Sequence, residues 1–287
     1  MSAFLLNGTQ CSEKLRNSVA EQVKLRKEQT GKDVKLCVVQ VGDNPSGLSY
    51  LKNNVKIFRE LGILTEVVEL GDLTTTEELK ATLQRLNDDE QVNGILLQMP
   101  LPKGIDRTEA QKTIAPWKDV DGVNPISVGN LFLGDKDAFV PNTPGGVMEL
   151  LKFYGISVQG KHVVVLGRSN IVGKPLAVLM TQENATVTLC HSKTENLSEI
   201  TKTADILVSA VGKAEWVTAD MVRPGAVVVD VGINFKSGKL CGDVAFEEVS
   251  EVAGSLTPTP GGTGPMTVTM LAMNTLKAFD LQQNNKK

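Results

Sequence analysis

The sequence predicts an α/β protein of two domains, each with a mostly parallel sheet flanked by helices. Its 287 residues correspond to about two domains at roughly 150 residues each. Short, almost continuously apolar runs alternate with longer stretches of helical periodicity, as in parallel sheets that are covered on both faces. These runs fall into two series, which are separated by a segment rich in proline and glycine.

The first series begins with a helix, indicated by Leu15, Val19 and Val23 on one face. Apolar runs at 36–41, 67–70 and 95–98 then predict three strands with helices between them. This β/α/β/α rhythm indicates a first parallel sheet.

The second series comprises predicted strands at 162–166, 185–190, 206–210 and 227–231. The prolines of segment 141–146 should break regular structure before a helix that begins near Gly146, so we place the domain boundary there. A last helix is predicted from Pro265 to about Leu281, with the proline in its first turn. The predicted domains are 1–142 plus 268–287, and 143–267.

Composition and charge exclude several classes of protein. The chain carries 30 Lys+Arg and 33 Asp+Glu, a net charge of −3, which gives no electrostatic reason to expect nucleic acid or an anionic membrane as partner. No apolar run approaches the ~20 residues that span a bilayer, and no secretory signal is recognisable. Cys11, Cys37, Cys190 and Cys241 are widely spaced, which predicts buried, reduced thiols in a cytoplasmic protein and no metal site.

A candidate phosphate-binding turn follows the strand at 162–166. Gly167 would allow a tight turn, Gly173 would let strand and helix approach, and the backbone N–H groups of the helix would face a pyrophosphate. The match to the dinucleotide fingerprint is imperfect, because Ser169 replaces the middle glycine and the last glycine is displaced by one residue. A plain strand-to-helix turn is the alternative. We favour a Rossmann-like second domain.

The end of the next predicted strand favours NADP over NAD. NAD-binding folds carry an acid about 20 residues after the turn to bind the ribose hydroxyl. Here residues 191–194 read His-Ser-Lys-Thr, and a hydroxyl with cations would instead hold a ribose phosphate, together with Arg168. His191 could equally be a structural histidine.

Several segments together resemble the bifunctional methylenetetrahydrofolate dehydrogenase/cyclohydrolase (FolD) family. They occur in the family's order over essentially the whole chain, and the set is far more specific than any one member. The segments are 41–46 (VGDNPS) leading to Tyr50, 94–102 (GILLQMPLP), 118–122 (KDVDG), 167–175 (GRSNIVGKP) and 258–267 (PTPGGTGPMT).

The resemblance implies NADP-dependent oxidation of methylenetetrahydrofolate to methenyltetrahydrofolate, then hydrolysis to 10-formyltetrahydrofolate, by a homodimer joined through the NADP domain. Tyr50 would lie against the folate ring system, Gln98 would assist the catalytic group, and Asp121 would accept pterin N–H groups. Each could instead be structural, through packing, a strand-end hydrogen bond or a turn. Further implied substrate contacts are Pro100, Leu101, Gly262, Gly264 and Pro265. The implied cofactor contacts are Gly167, Arg168, Ser169, Ile171, Gly173, His191, Ser192 and Ile233.

The catalytic position four residues after Tyr50 departs from the family, which has a lysine where this chain has Asn54. On a helix Lys52 and Lys56 would lie about 200° and 240° from Tyr50, so neither is an easy substitute. Hydride transfer needs positioning above all, whereas hydrolysis needs proton transfer, which an amide cannot supply. We therefore expect a dehydrogenase with impaired cyclohydrolase activity. The alternatives are a non-catalytic folate- or NADP-binding paralogue and another two-domain NADP dehydrogenase. Smaller departures, to which we attach no mechanism, are Asn142 and Thr263.

Overall fold

The computed structural model describes residues 2–43 and 54–284, which form two compact units. The six-strand unit consists of Met1–Glu13 and Pro141–Met270, and the three-strand unit of Lys14–Val140 and Leu271–Lys287. Residues 2–13 were predicted to belong with the other half of the chain. They join the six-strand unit because a strand at its start, Phe4–Leu5, pairs with Ser255–Leu256. A strand of two residues leaves no periodic pattern in a sequence.

The elements alternate between strand and helix through both halves of the chain. The first half contains β1 (Phe4–Leu5), α1 (Gly8–Thr30), β2 (Lys35–Val41), α2 (of which residues 54–60 are described), β3 (Leu64–Leu70), α3 (Thr76–Asp88), β4 (Gly94–Leu97), α4 (Arg107–Thr113), a 3₁₀ turn (Pro116–Lys118) and α5 (Pro125–Leu133). The second half contains α6 (Asn142–Phe153), β5 (His162–Leu166), α7 (Gly173–Gln182), β6 (Thr186–Cys190), α8 (Leu197–Thr201), β7 (Ile206–Ser209), a 3₁₀ turn (Ala219–Met221), β8 (Val227–Asp230), β9 (Asn234–Lys236), β10 (Lys239–Cys241), α9 (Phe246–Ser250), β11 (Ser255–Leu256) and α10 (Thr263–Asn284).

The three-strand unit is built on a parallel sheet of order β3-β2-β4. Helix α3 packs on one face, where its buried leucines join alternate residues of the central strand. The connection from β2 to β3 and the connection from β3 to β4 cross the sheet in opposite directions. Because crossovers between parallel strands are right-handed, their helices lie on opposite faces, and α2 is on the face away from α3. The α3 face is formed by Cys37, Val39, Val41, Leu79, Leu83, Leu86, Ile95 and Leu97.

The six-strand unit has a parallel sheet of order β1-β11-β8-β7-β5-β6, and β9 with β10 forms a separate antiparallel hairpin. From β5 the chain goes first to β6 on one side and then to β7 on the other side of β5. The strand order therefore reverses at β5, and such a topological switch point is where open α/β sheets bind ligands. The predicted two-domain α/β class with parallel sheets is therefore confirmed.

Most predicted strand boundaries agree with the structure within one residue. Helix α10 begins at Thr263 and ends at Asn284, where the prediction was Pro265 to about Leu281. Two other differences are informative. Helix α6 begins at Asn142 rather than near Gly146. Pro141 precedes it and Pro144 lies in its first turn, where proline is tolerated because those N–H groups have no helical partner. Strand β3 begins at Leu64 instead of residue 67, since its first residues alternate with polar ones.

The cysteines are free, and Cys11, Cys37 and Cys190 are buried while Cys241 is half-buried. A bilayer-spanning helix is absent from the described part of the chain, because no helix there combines the length and the hydropathy required. Within residues 2–43 and 54–284, no three His, Cys, Asp or Glu side chains are grouped so as to hold a metal ion.

Candidate active site

The turn after β5 has the backbone geometry of a phosphate cradle. Gly167 adopts a positive φ of 112°, and a Cβ there would overlap the carbonyl oxygen of Ala210. A Cβ at Gly173, the first residue of α7, would in turn overlap the carbonyl oxygen of Gly167. Both positions therefore require glycine, and the start of α7 lies directly against the end of β5.

Ser169 explains how the turn works without a middle glycine. Its Oγ accepts a hydrogen bond from the backbone N–H of Val172 at 3.1 Å, and its carbonyl oxygen accepts one from Lys174 N–H at 3.1 Å. The side chain thus satisfies a donor that the helix start leaves unpaired. The sequence pattern alone would have demanded a glycine at this place.

The structure brings Arg168 and residues 191–192 to the same edge of the sheet. Gly167 N–H donates to the carbonyl of Cys190 at 2.9 Å, so the turn begins beside the end of β6. Arg168 and Ser192 are exposed there. His191 is half-buried and its Nδ1 accepts from Lys193 N–H at 3.1 Å, which gives it a local structural bond. The Arg168 guanidinium and the Ser192 hydroxyl therefore both lie at the carboxyl edge of the sheet.

Ile171 and Ile233 are large apolar side chains left in solvent, 42% and 63% exposed respectively. Ile171 lies in the turn before α7, and Ile233 follows β8 at the same carboxyl edge of the sheet. Apolar side chains placed this way can cover the flat faces of a ligand's rings.

Sequence reasoning missed two buried aspartates, one at the end of β8 and one shortly after β10. Asp230 and Asp243 are 3% and 0% exposed, and each accepts several backbone N–H bonds. Burial raises the pKa of Asp230 to about 6, and the charge of Asp243 contributes, against the lowering effect of the N–H donors. A signal was present in the sequence, since Asp230 interrupts the apolar run at 227–231.

The glycine-rich loop before α10 is tied to the start of α1. Gly8 N–H donates to the carbonyl of Gly261 at 2.8 Å, and a Cβ at Gly8 would overlap the carbonyl oxygen of Gly262. The Thr263 hydroxyl donates to the carbonyl of Asp230 at 3.1 Å. The loop that carries Gly262, Gly264 and Pro265 is thus fixed by bonds within the six-strand unit.

In the three-strand unit, Gln98 comes directly after β4, one residue beyond its last residue Leu97. Its backbone N–H continues the ladder to Val39 at 2.9 Å, and its side-chain amide donates to the carbonyl of Met99 at 3.0 Å. Pro100 is exposed and Leu101 is half-buried in the loop that follows. Gln98, Pro100 and Leu101 therefore stand together at the carboxyl edge of the sheet.

Asp121 lies in a turn that a buried lysine anchors. Lys118 is 3% exposed, and its Nζ donates to the carbonyls of Leu86, Asn87 and Asp89 at 3.0, 2.8 and 2.7 Å. A bridge between Ile95 and Asp119 places the following turn beside the end of β4. Asp121 is therefore held close to β4, the strand that Gln98 follows.

Asp119, next to this lysine, is fully buried. Its Oδ2 accepts from Asn124 N–H at 2.8 Å, and burial raises the pKa of its carboxyl although the hydrogen bonds it accepts oppose this. Sequence reasoning missed both Lys118 and Asp119 as organisers of the Asp121 turn.

Asn54 is buried, 3% exposed, and neither atom of its amide has a hydrogen-bond partner among the described residues. Lys56 is exposed, so it does not share the buried face of α2. Tyr50 and Lys52 lie outside the described residues. A buried amide without partners is costly unless a ligand or water bonds to it, so Asn54 is a candidate for contact with a ligand.

Gln40 lies on the same face of the sheet as Asn54 and Gln98. Alternation along β2 puts its side chain opposite Val39, away from α3. Its Nε2 donates to the carbonyl of Gly42 at 3.0 Å, which fixes the amide orientation, and its Oε1 is buried without a partner in the described chain. Sequence reasoning missed Gln40, although it interrupts the apolar run at 36–41.

Comparisons with known proteins agree along the whole chain. Residues 6–121 match the family model of the tetrahydrofolate dehydrogenase/cyclohydrolase catalytic domain, and residues 141–283 match that of its NAD(P)-binding domain. The bifunctional protein FolD of Bacillus cytotoxicus is 50% identical over 97% of each chain.

Solved structures are similar over nearly the whole chain. The FolD methylenetetrahydrofolate dehydrogenase/cyclohydrolase of Campylobacter jejuni superposes with a TM-score of 0.95 at 44% identity, over 99% of this chain and all of that one. The Trypanosoma brucei enzyme, solved with NADP cofactor and an inhibitor, gives 0.93 at 36% identity over 98% of each chain.

Proposed function

Since the chain belongs to the tetrahydrofolate dehydrogenase/cyclohydrolase family, we propose that it oxidises 5,10-methylenetetrahydrofolate to 5,10-methenyltetrahydrofolate with NADP. We propose further that hydrolysis of the product to 10-formyltetrahydrofolate is impaired, because Asn54 stands at the position of the family's lysine.

The observation that carries the dehydrogenase proposal is the β5–α7 turn. Gly167 and Gly173 leave no room for side chains where a pyrophosphate would need close backbone approach, so the residues present fit a dinucleotide. Arg168 and Ser192 would hold a ribose phosphate, which favours NADP. When bound, NADP accepts the hydride in this reaction. Further contacts proposed for it are Ser169, Ile171, His191 and Ile233.

The folate would bind at the carboxyl edge of the three-strand sheet. Gln98 and Asp121 offer hydrogen-bonding groups there, and Tyr50 would provide an aromatic surface for the ring system. Pro100 and Leu101 would line the same edge, and Gly262, Gly264 and Pro265 would contribute backbone contacts. These residues orient the donor carbon, and orientation is the main requirement of hydride transfer.

The impaired hydrolysis rests on Asn54. An amide neither gives nor takes a proton near neutral pH, so the position cannot act as a general acid or base. Its amide has no partner in the described part of the chain and can still hydrogen-bond to substrate, which is compatible with dehydrogenation.

The residues proposed for the two ligands thus belong mostly to different units, with the dinucleotide residues in the six-strand unit and the folate residues, except the 262–265 loop, in the three-strand unit. We further propose a homodimer formed through the dinucleotide-binding domain, located in the cytoplasm.

The test is a single assay with methylenetetrahydrofolate and NADP in which NADPH and methenyltetrahydrofolate are followed together, with uncatalysed hydrolysis as the blank. We expect NADPH to form while the methenyl product accumulates. Methenyl consumption faster than the blank would show that another group performs the proton transfer. No NADPH formation would favour a non-catalytic folate- or NADP-binding protein, to which the Asn54 substitution also points.

A further inference from the structure

Asp243 is the centre of a hydrogen-bond clasp at the carboxyl edge of the six-strand sheet. Its buried carboxylate accepts hydrogen bonds from one backbone segment, 211–213, and from two side chains. The donors are Ser209 Oγ (3.2 Å), Val211 N–H (2.7 Å), Gly212 N–H (3.2 Å), Lys213 N–H (2.9 Å) and Asn234 Nδ2 (2.9 Å).

Asp230 forms the second half of the clasp. Its carboxylate accepts from Gly232 N–H at 2.9 Å, Asp243 N–H at 3.0 Å and Val244 N–H at 2.9 Å. The fit is close, because a Cβ at Gly232 would overlap the Asp243 carboxylate and one at Gly242 would overlap that of Asp230. The two carboxylates therefore join the segments that follow β7, β8 and β10.

The clasped segments border the dinucleotide turn. Ala210 comes directly before the Val211–Lys213 donors. Its carbonyl lies so close to Gly167 that a Cβ there would overlap it, and its N–H donates to the Leu166 carbonyl at 2.8 Å. Ile233 lies between Gly232, bonded to Asp230, and Asn234, bonded to Asp243. The exposed Ile233 is thus fixed from both sides by a buried carboxylate.

Topology decides which half of a dinucleotide this region would meet. In a doubly wound sheet the two halves of the ligand lie on opposite sides of the switch point, with the adenosine ribose near the strand after the phosphate turn. Here that strand is β6, so the β7 and β8 loops on the other side of β5 face the nicotinamide half.

We propose that Asp243, supported by Asp230, is a positioning residue for the nicotinamide half of NADP, through the Val211–Lys213 loop and Ile233. This rests on the proposed NADP binding. A carboxylate is needed because every polar neighbour of its two oxygens is a donor, and an amide at 243 would turn an N–H₂ group toward backbone N–H groups.

The test compares the binding of NADP with that of adenosine 2′,5′-bisphosphate, which carries only the adenine half, by calorimetry. We expect Asp243→Asn to weaken NADP binding about tenfold, as loss of a charge-assisted hydrogen bond would, and to leave adenosine 2′,5′-bisphosphate unaffected. The matched control is Asp205→Asn. Asp205 bonds to His162 N–H and Arg223 before β7, at the opposite edge of the same sheet, and its substitution should change neither affinity.

Asn234→Ala provides a milder variant in case Asp243→Asn does not fold, because it removes one donor and leaves the backbone bonds of Asp243 intact. It should weaken NADP binding in the same selective manner. Equal weakening of both ligands, or unchanged NADP binding in both variants, would overturn the proposal. If the unmodified protein binds neither ligand, the proposed NADP function itself fails, which is a distinct result.

Discussion

Gly8 contacts the Gly262 backbone so closely that no side chain fits between them. A Cβ at Gly8 would overlap the Gly262 carbonyl oxygen, while Gly8 N–H donates to Gly261 at 2.8 Å. The first residue of α1 therefore sets the position of the loop that we propose contacts the folate.

We expect Gly8→Ala to raise KM for methylenetetrahydrofolate several-fold, because the added methyl group must displace Gly262. The affinity for NADP should change little, since the turn at Gly167 is not involved. The control is Gly129→Ala in α5, where a Cβ meets nothing within 4 Å and alanine favours the helix by about 1 kcal/mol. Steady-state kinetics of both variants check this. A normal KM in Gly8→Ala would show that the loop position does not govern folate binding.

A second prediction concerns Lys118 and the stability of the fold. Its Nζ satisfies three carbonyl groups at the end of α3, and burial lowers its pKa. Lys118→Met would leave those carbonyls without a donor, at a cost of about 3 kcal/mol. The expected result is a lower urea midpoint together with a raised KM for methylenetetrahydrofolate, since the Asp121 turn loses its anchor.

The control for Lys118 is Lys112→Met, which removes an exposed lysine whose partner is Glu109. Exposed ion pairs of this kind contribute at most about 1 kcal/mol. Equal midpoints for the two methionine variants would contradict the anchoring role of Lys118.

The sequence predicted those features that depend on near neighbours along the chain. The longer strands of both sheets, the Gly167–Gly173 turn and the position of Gln98 at a strand end follow from local pattern, whereas the two-residue strands β1 and β11 do not. The contacts of Gly8, Asp243 and the two-residue β1 depend on segments distant in sequence, and a single glycine or aspartate does not indicate its distant partner. Gln40 and Asp230 could be predicted in part. Each is a polar residue in an apolar run, which indicates a buried polar side chain but not what that side chain does.

Asp230 predicts a defined pH dependence of stability. Its pKa is raised by burial to about 6, from an ordinary value of 3.8, so between these values the folded state binds more protons than the unfolded state. Asp230 therefore stabilises the fold fully below about pH 4. This stabilisation, about 3 kcal/mol of unfolding free energy, is lost as pH rises through 6. In Asp230→Asn the decline should be smaller by this amount, while the part that comes from Asp119, whose pKa burial also raises, should remain.

The measurement for Asp230 is a series of urea unfolding curves from pH 4 to 7. Asp205→Asn is the control of opposite sign, because the His162 N–H bond and nearby cations lower the pKa of Asp205. The stabilisation that Asp205 contributes is lost only as pH falls below the ordinary carboxyl pKa of 3.8. The decline in unfolding free energy from pH 4 to 6 should therefore persist in Asp205→Asn. An unchanged decline in Asp230→Asn would assign the effect to another group.

Asn54 makes the prediction that tests the proposed loss of hydrolysis. The Asn54 amide and Gln40 Oε1 are buried, and neither has a hydrogen-bond partner within residues 2–43 and 54–284. An ammonium group at position 54 would therefore find an acceptor in Gln40 Oε1. We expect Asn54→Lys to speed methenyltetrahydrofolate hydrolysis by about 10² or more, the usual contribution of a general acid or base. Dehydrogenase activity should change little, because orientation of the donor carbon does not need that group.

Asn54→Gln separates proton transfer from side-chain length, since glutamine extends the side chain without adding an ionisable group. Hydrolysis should rise in the lysine variant alone, and it should depend on pH as a single titrating group requires. If the glutamine variant hydrolyses as fast as the lysine variant, the deficit comes from reach and not from proton transfer. If neither gains hydrolysis while both keep dehydrogenase activity, the second activity is limited elsewhere in the site.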